Sequence, residues 1–201
     1  MGMEQASLWD EADDQVLVAA AQHGHAPALE ALVRRYHAPL CQFIERMVGD
    51  VDAAHDLAQE TLLKMIRALP RYQPRARFST WLYTIAANLA RDELRRRRHR
   101  DRHQVSLDAG DRATDEPASP GPSVVDEALG KVTREEVRAA LATLSPEHRS
   151  VMLLHYFEGL GYKEIAAVCG CTVGTVGSRL HYAIRHLRRA LGLDAGAKEG
   201  H

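Results

Sequence analysis

Apolar positions recur every three or four residues along most of the chain, the period of a helix with one buried face. Val16, Leu17 and Ala20, then Leu29, Leu32, Val33, Tyr36, Leu40 and Ile44, mark two helices within residues 14–47. GHAP at 24–27 separates them, because Gly and Pro interrupt helices. GDVD at 49–52 reads as a turn, and Asp52 is placed to cap a helix ending at Leu69. On that helix Ala58, Leu62, Met65, Ile66 and Leu69 form the apolar face, while Asp56, Glu60, Leu63 and Arg67 share another. Pro70 and Pro74 bracket an arginine-rich loop, after which Ser79 or Thr80 is placed to cap a helix that runs into a cluster of arginines.

The periodicity fails from Asp101 to about Ser123. DAGDRATDEPASPGPS is polar, acidic and rich in Pro and Gly, so it has nothing with which to bury a core and reads as a flexible tether. Helical spacing returns at Val124–Leu144 and continues through a compact set of three or four helices to Leu191. No strand pattern competes. The expected fold is all-α: two small helical domains joined by a flexible acidic linker. The divisions are a disordered acidic leader (1–12), a first domain (13–100), the linker (101–123), a second domain (124–191) and a short tail (192–201).

The last helix is the most informative. Val173, Val176, Leu180, Ile184, Leu187 and Leu191 fall on one stripe, and Thr175, Ser178, Arg179, Tyr182, Arg185 and Arg189 face away from it. A short helix, YKEIAAVCG, and a turn, Gly170-Cys171-Thr172, precede it, with Thr172 placed as its cap. Short helix, glycine turn and longer basic helix make a helix-turn-helix, whose second helix enters the DNA major groove. An amphipathic surface helix with a solvated basic face is the plainer alternative. Gly174 and Gly177 each cost about 1 kcal/mol of helix propensity, which is understandable if the helix start must approach a DNA backbone closely.

Charge sharpens the picture. The formal net charge is only −1, but it is unevenly spread. Lys64–Arg102 holds twelve Lys/Arg against three acids, +9; Gln104–Glu136 holds eight acids against three bases, −5; residues 1–21 hold five acids and no base. A concentrated basic field attracts polyanions, nucleic acid above all. There is no membrane-spanning run and no signal-peptide pattern, so a cytoplasmic protein without membrane insertion is expected. Three irregularly spaced cysteines do not make a disulfide framework. Cys169-x-Cys171 lacks a second pair at ligand spacing, so no metal is expected there, and no cofactor is expected anywhere. Catalysis is not expected either: no nucleophile–base pair, phosphate-binding glycine loop or metal cluster stands out.

Two segments together, DAAHDLAQETLLKMIRALPRYQPRARFSTWLYTIAANLARDELRRRRHR and LSPEHRSVMLLHYFEGLGYKEIAAVCGCTVGTVGSRLHYAIRHLRR, resemble the extracytoplasmic-function (ECF) sigma factors of bacterial RNA polymerase. The resemblance covers about residues 14–191. It implies a first domain that binds the core polymerase clamp and the promoter minus-10 element, and a second that reads the minus-35 element and meets the polymerase flap. It places Asp56, Gln59, Glu60 and Leu63 on the polymerase-binding helix. It places Arg75, Arg77, Phe78, Ser79, Thr80, Trp81, Asn88, Arg91 and Arg95 at minus-10 DNA. It places Thr172, Val173, Gly174, Thr175, Ser178, Arg179, His181 and Arg185 at minus-35 DNA. Most such proteins have an anti-sigma partner, which this resemblance also implies. Gly177 stands where the family usually has a lysine, His55 where an acid precedes the Asp-Leu pair, and Gly161 where a serine is common.

The resemblance gives meaning to RFSTWLYTIAANLARDELRRRRHR, which crowds aromatics beside arginines. Melting DNA without a fuel requires trapping bases that leave the stack. Aromatic faces hold them at about 1–3 kcal/mol per base, and arginines hold the phosphates. Phe78 and Trp81 could instead seal the helix against the core. The linker also fits: elements roughly 16–17 base pairs apart lie roughly 55 Å apart, and 20–30 extended residues reach up to about 70–100 Å. The rival reading is a helix-turn-helix regulator with a sensory N-terminal domain, which predicts a ligand pocket or phosphoacceptor and DNA binding without polymerase.

Overall fold

The computed structural model describes residues 9–104 and 133–193, and among these every regular element is helical. The chain divides into two compact units, Met1–Asp92 and Glu93–His201. In the first lie α1 (Asp14–Gln22), α2 (Ala26–Val48), α3 (Val51–Ala68), a 3-10 turn (Leu69–Arg71) and the start of α4 (Phe78–Gln104). In the second lie α5 (Arg134–Ala142), α6 (Pro146–Tyr156), α7 (Tyr162–Cys169) and α8 (Val173–Ala190). The division falls within α4, earlier than the boundary read after Arg100. The cause is visible in its side chains: Leu82, Tyr83, Ala86, Ala87, Leu89 and Ala90 are buried, whereas Arg95, Arg96 and Arg98 are exposed.

The core of the first unit gathers Leu17, Leu32, Leu40, Phe43, Ile44 and Met47 with Leu57, Leu62 and Met65 of α3 and Leu82 of α4. Helix α2 ends at Gly49, whose left-handed φ of 75° would strain a residue with a Cβ; its N–H bonds the Glu45 carbonyl at 2.7 Å. The cap of α3 is Asp50 rather than Asp52. The helix starts at Val51, so it is the Asp50 carboxylate that accepts from the Ala53 N–H at 3.0 Å. Asp52 sits in the first turn instead, where its charge meets the positive end of the helix dipole.

Neither Ser79 nor Thr80 caps α4. The helix opens at Phe78, Trp81 N–H bonds the Arg77 carbonyl at 3.2 Å, and Thr80 is buried within the first turn. At its far end α4 runs to Gln104, past Asp101 where the tether was expected to begin. Glu93 supports this extension by ion pairs one turn away, to Arg97 at 2.7 Å and Arg96 at 3.0 Å. The acidic leader is also ordered where described. Residues 9–11 are helical, Asp10 pairs with Arg34 at 2.7 Å, and the Trp9 ring lies 4.6 Å from that of His25. The rest of the leader (1–8), the linker beyond 104, the expected helix over 124–132 and the tail beyond 193 lie outside the described residues.

In the second unit Thr133 and Glu136 form a reciprocal capping box for α5, with Thr133 N–H donating to Glu136 Oε2 at 2.7 Å. Arg149 of α6 is buried and donates to the carbonyls of Ala142 (2.7 Å) and Leu144 (3.0 Å), satisfying acceptors that the end of α5 leaves open. Burial lowers the pKa of its guanidinium. The core joins Leu141, Val151, Leu153, Leu154, Leu160, Ile165, Val168, Val176 and Leu180. On α8 the buried stripe is Val176, Leu180 and Ala183, flanked by half-buried Ile184, Leu187 and Leu191. Val173 is the exception to the expected stripe: in the first turn, ahead of the core, it is 44% exposed.

Candidate nucleic-acid interface

Three surfaces carry the residues singled out in the sequence. The first is the outer face of α3. Its inner face turns Ala54, Leu57, Ala58, Thr61, Leu62 and Met65 inward, and Ile66 is half-buried. Helical geometry therefore leaves Asp56, Gln59, Glu60 and Leu63 outward, and all four are exposed. Leu63 is 51% exposed among charges, with the Lys64–Glu60 pair at 3.0 Å beside it. The result is an apolar side chain set in a mixed, mainly acidic face that folding of this unit leaves uncovered.

The second surface is the loop before α4 and the start of that helix. Phe78 is buried and packs edge-on against Tyr36 (5.5 Å) and Tyr72 (5.7 Å). Thr80 is buried as well. Both were expected at the DNA; their side chains instead lie beneath the surface, because the helix starts at Phe78 and turns these two positions toward the core. Trp81 differs. It packs on Tyr72 at 4.6 Å and on Phe78 at 5.6 Å, yet remains half-exposed. Arg75 and Arg77 are exposed in the loop, Ser79 and Arg91 are half-buried, and Asn88 and Arg95 are exposed on α4. Arg91 donates to the Asn88 side-chain oxygen at 2.9 Å, so these two act as a unit.

The arginine run is less uniformly available than its sequence implies. Arg96, Arg97 and Arg100 all converge on the carboxylate of Glu93, the last at 3.3 Å. The hydrogen bond from Arg97, together with the charges of its neighbours, holds Glu93 below the ordinary carboxylate range. Part of the local positive charge is thereby neutralised inside the helix.

Two residues of this surface were not identified from the sequence. Gln22 donates through Nε2 to the carbonyls of Leu69 (2.9 Å) and Tyr72 (2.8 Å), pinning the loop to α1. Tyr72 packs at a tilt against Trp81, and its hydroxyl donates to the Ala76 carbonyl at 3.1 Å. No local spacing links Gln22 to the loop, since the contact spans fifty residues. Tyr72, by contrast, could have been found as the aromatic between the two prolines.

The third surface is α8. Gly170 ends α7 in a left-handed conformation, φ 63°, and lets the chain turn into Thr172. The Thr172 hydroxyl accepts from Thr175 N–H at 3.1 Å and bonds the Thr175 hydroxyl at 2.9 Å. The Ser178 hydroxyl donates to the Thr175 carbonyl at 3.1 Å. These hydroxyls thus first secure the helix start. Thr172, Val173, Gly174 and Arg185 are exposed, and Thr175, Ser178, Arg179 and His181 half-buried. A Cβ on Gly174 or Gly177 would meet only ordinary contacts, at 3.8 Å from Thr172 Oγ1 and 3.9 Å from a Tyr162 ring carbon. Packing within the unit does not require glycine at either place. Tyr182 does not project freely: its ring lies 4.4 Å from that of His148 and stacks on His186 at 6.0 Å.

Among the described residues no helix is long and apolar enough to cross a membrane. The sigma-70 region 2 family model matches residues 32–100, and the sigma-70 region 4 model matches residues 134–187. The RNA polymerase sigma factor CarQ of Myxococcus xanthus is 41% identical over 170 residues, which span 84% of this chain and 92% of CarQ. The ECF RNA polymerase sigma factor SigL of Mycobacterium tuberculosis is 37% identical over 175 residues, 87% of this chain and 94% of SigL. Among solved structures, the sigma factor RpoE of Bartonella quintana, in complex with the anti-sigma factor NepR, superposes with a TM-score of 0.63 at 26% identity. That match covers 82% of this chain and 97% of RpoE.

Proposed function

The chain belongs to the ECF sigma factors of the sigma-70 family, and from that premise we propose how its two units share the work of directing RNA polymerase to promoters. The first unit binds the core polymerase clamp through the outer face of α3, with Leu63 as the apolar anchor and Asp56, Gln59 and Glu60 around it. The second surface, formed by the loop before α4 and by α4 itself, takes the minus-10 element. Arg75, Arg77, Arg91 and Arg95 hold phosphates, Trp81 receives a base leaving the stack, and Phe78 and Thr80 support Trp81 and Ser79 from below. The second unit contacts the polymerase flap and lays α8 into the minus-35 major groove. There Gly174 permits close backbone approach, and Arg179, His181 and Arg185 face the bases and phosphates. The protein works in the cytoplasm as a subunit of polymerase rather than as an enzyme in its own right, and an anti-sigma partner competes for the same surfaces.

The observation that carries this reading is the uncovered face of α3: Leu63 half-exposed among acids on a helix whose other face is fully committed to the core. A sensory regulator has no use for that face, and a ligand-sensing role has no support in a unit that matches sigma-70 region 2. The test is binding to purified core polymerase. Leu63→Asp combined with Glu60→Lys is expected to weaken binding at least about tenfold, the loss of roughly 1.4 kcal/mol, while circular dichroism shows the helices intact. Unchanged affinity removes α3 from the interface.

A further inference from the structure

The first unit brings together three ligand-type side chains that no step of the proposed function uses. His37 and Cys41 are four residues apart and so share one face of α2, and His55 approaches them from the second turn of α3. Cys41 Sγ lies 3.9 Å from His37 Nε2 and 3.7 Å from His55 Nδ1. One ligand atom from each of the three residues lies within 4.8 Å of the other two. The geometry points to a transition-metal site of the His2Cys type that clamps α2 to α3 and takes a borderline divalent ion of the Zn2+ class.

Spacing, donor chemistry and access all support it. The spacing is that of a coordination shell. A tetrahedral Zn2+ with Zn–S about 2.3 Å and Zn–N about 2.0–2.1 Å sets S···N near about 3.6 Å and N···N near about 3.4 Å. Both observed S···N distances are within a few tenths of an ångström of that, so only a modest ring rotation is needed to close the remaining pair. The donor set is selective as well: thiolate and imidazole suit Zn2+, Co2+ and Ni2+, whereas Mg2+ and Ca2+ require oxygen ligands. Finally, access and support are both present. Cys41 and His37 are half-buried on α2, and His55 is exposed on α3. Three protein ligands leave a fourth position for water. The site lies next to the face already described, since His55 immediately precedes Asp56. The ion itself is inferred independently of that face's role.

The test uses the full chain, reduced and free of metal, titrated with Co2+. One ion per chain is expected, with a thiolate-to-cobalt charge-transfer band and the visible absorption of a tetrahedral centre, both abolished by Zn2+. His55→Ala, at an exposed position that the fold tolerates, and Cys41→Ser should each weaken Co2+ binding by about tenfold or more. The double variant Cys169→Ser, Cys171→Ser should bind as the wild type does. No thiolate band in the wild-type chain overturns the site. So does a band that survives both His55→Ala and Cys41→Ser, or one that disappears with the Cys169 and Cys171 pair.

Discussion

Trp81 packs on Tyr72 and Phe78 yet stays half-exposed, whereas Phe78, three residues earlier, is buried. The two aromatics divide the work that either could have done from sequence alone: one seals the helix and the other remains at the surface. In Trp81→Ala the loss of stacking, about 1–3 kcal/mol, should reduce open promoter complexes by about 5- to 150-fold. Polymerase binding and minus-35 recognition should be spared. A template already mismatched at the minus-10 element no longer needs unpairing and should partly rescue the variant, as permanganate footprinting would reveal. If thermal stability and core binding fall together and the open template gives no preferential rescue, Trp81 is packing alone. The periodicity of residues 78–90 could not separate these roles. It places Phe78 and Trp81 on one side of the helix but does not show that Tyr72, held by Gln22, fills the space beneath the indole.

At the scale of elements, the helices of both units were legible because each buried stripe follows a three-and-four spacing, and so were the α7 turn and the Thr172 cap, which rest on local chemistry. The ends of elements were less so. The cap of α3 moved from Asp52 to Asp50 and α4 passed the expected break at Asp101, because several polar residues in a row offer competing caps and side-chain pairs outside the apolar pattern. Glu93 exemplifies this: its three arginine partners are spaced for a helix, but they read from sequence as a charge run. The carboxylate is held below its ordinary value of 4.5, so its contribution is fully present above that value and is lost as pH falls through the depressed one. Hydrogen-exchange protection of residues 93–100 should therefore decline as the pH is lowered below about 4.5. In Glu93→Gln that decline should be absent and protection low throughout; an identical pH profile in the variant would show that the ion pairs do not hold the helix. Each pair is worth only about 0.2–0.5 kcal/mol, so the effect should stay local. On α8, Arg179→Ala should relax preference at one minus-35 position, as expected when a guanine contact worth about 1–3 kcal/mol is removed. Arg188→Ala, in the last turn of α8 and far from its groove-entering start, should weaken all promoters alike. Equal losses across a promoter library for both variants would make Arg179 a phosphate contact.

At the scale of the molecule, the two units suit two separated tasks on one promoter. Each has its own core, and each carries exposed basic side chains, Arg75 and Arg77 ahead of α4 in the first and Arg185 and Arg189 of α8 in the second. That organisation was visible in the sequence as two helical blocks on either side of an acidic, Pro- and Gly-rich stretch. The His37, Cys41 and His55 cluster was not, because its members come from two helices and only the packing of α2 on α3 unites them. In the proposed function neither unit directs initiation by itself, but only through polymerase. Single-round transcription with purified core polymerase tests it most directly, on a promoter carrying both elements and on variants lacking either. Transcripts are expected from one defined start site only when this protein is added, with strong loss when either element is scrambled. Specific binding to the duplex promoter without polymerase, and no transcript when core enzyme is supplied, would contradict it.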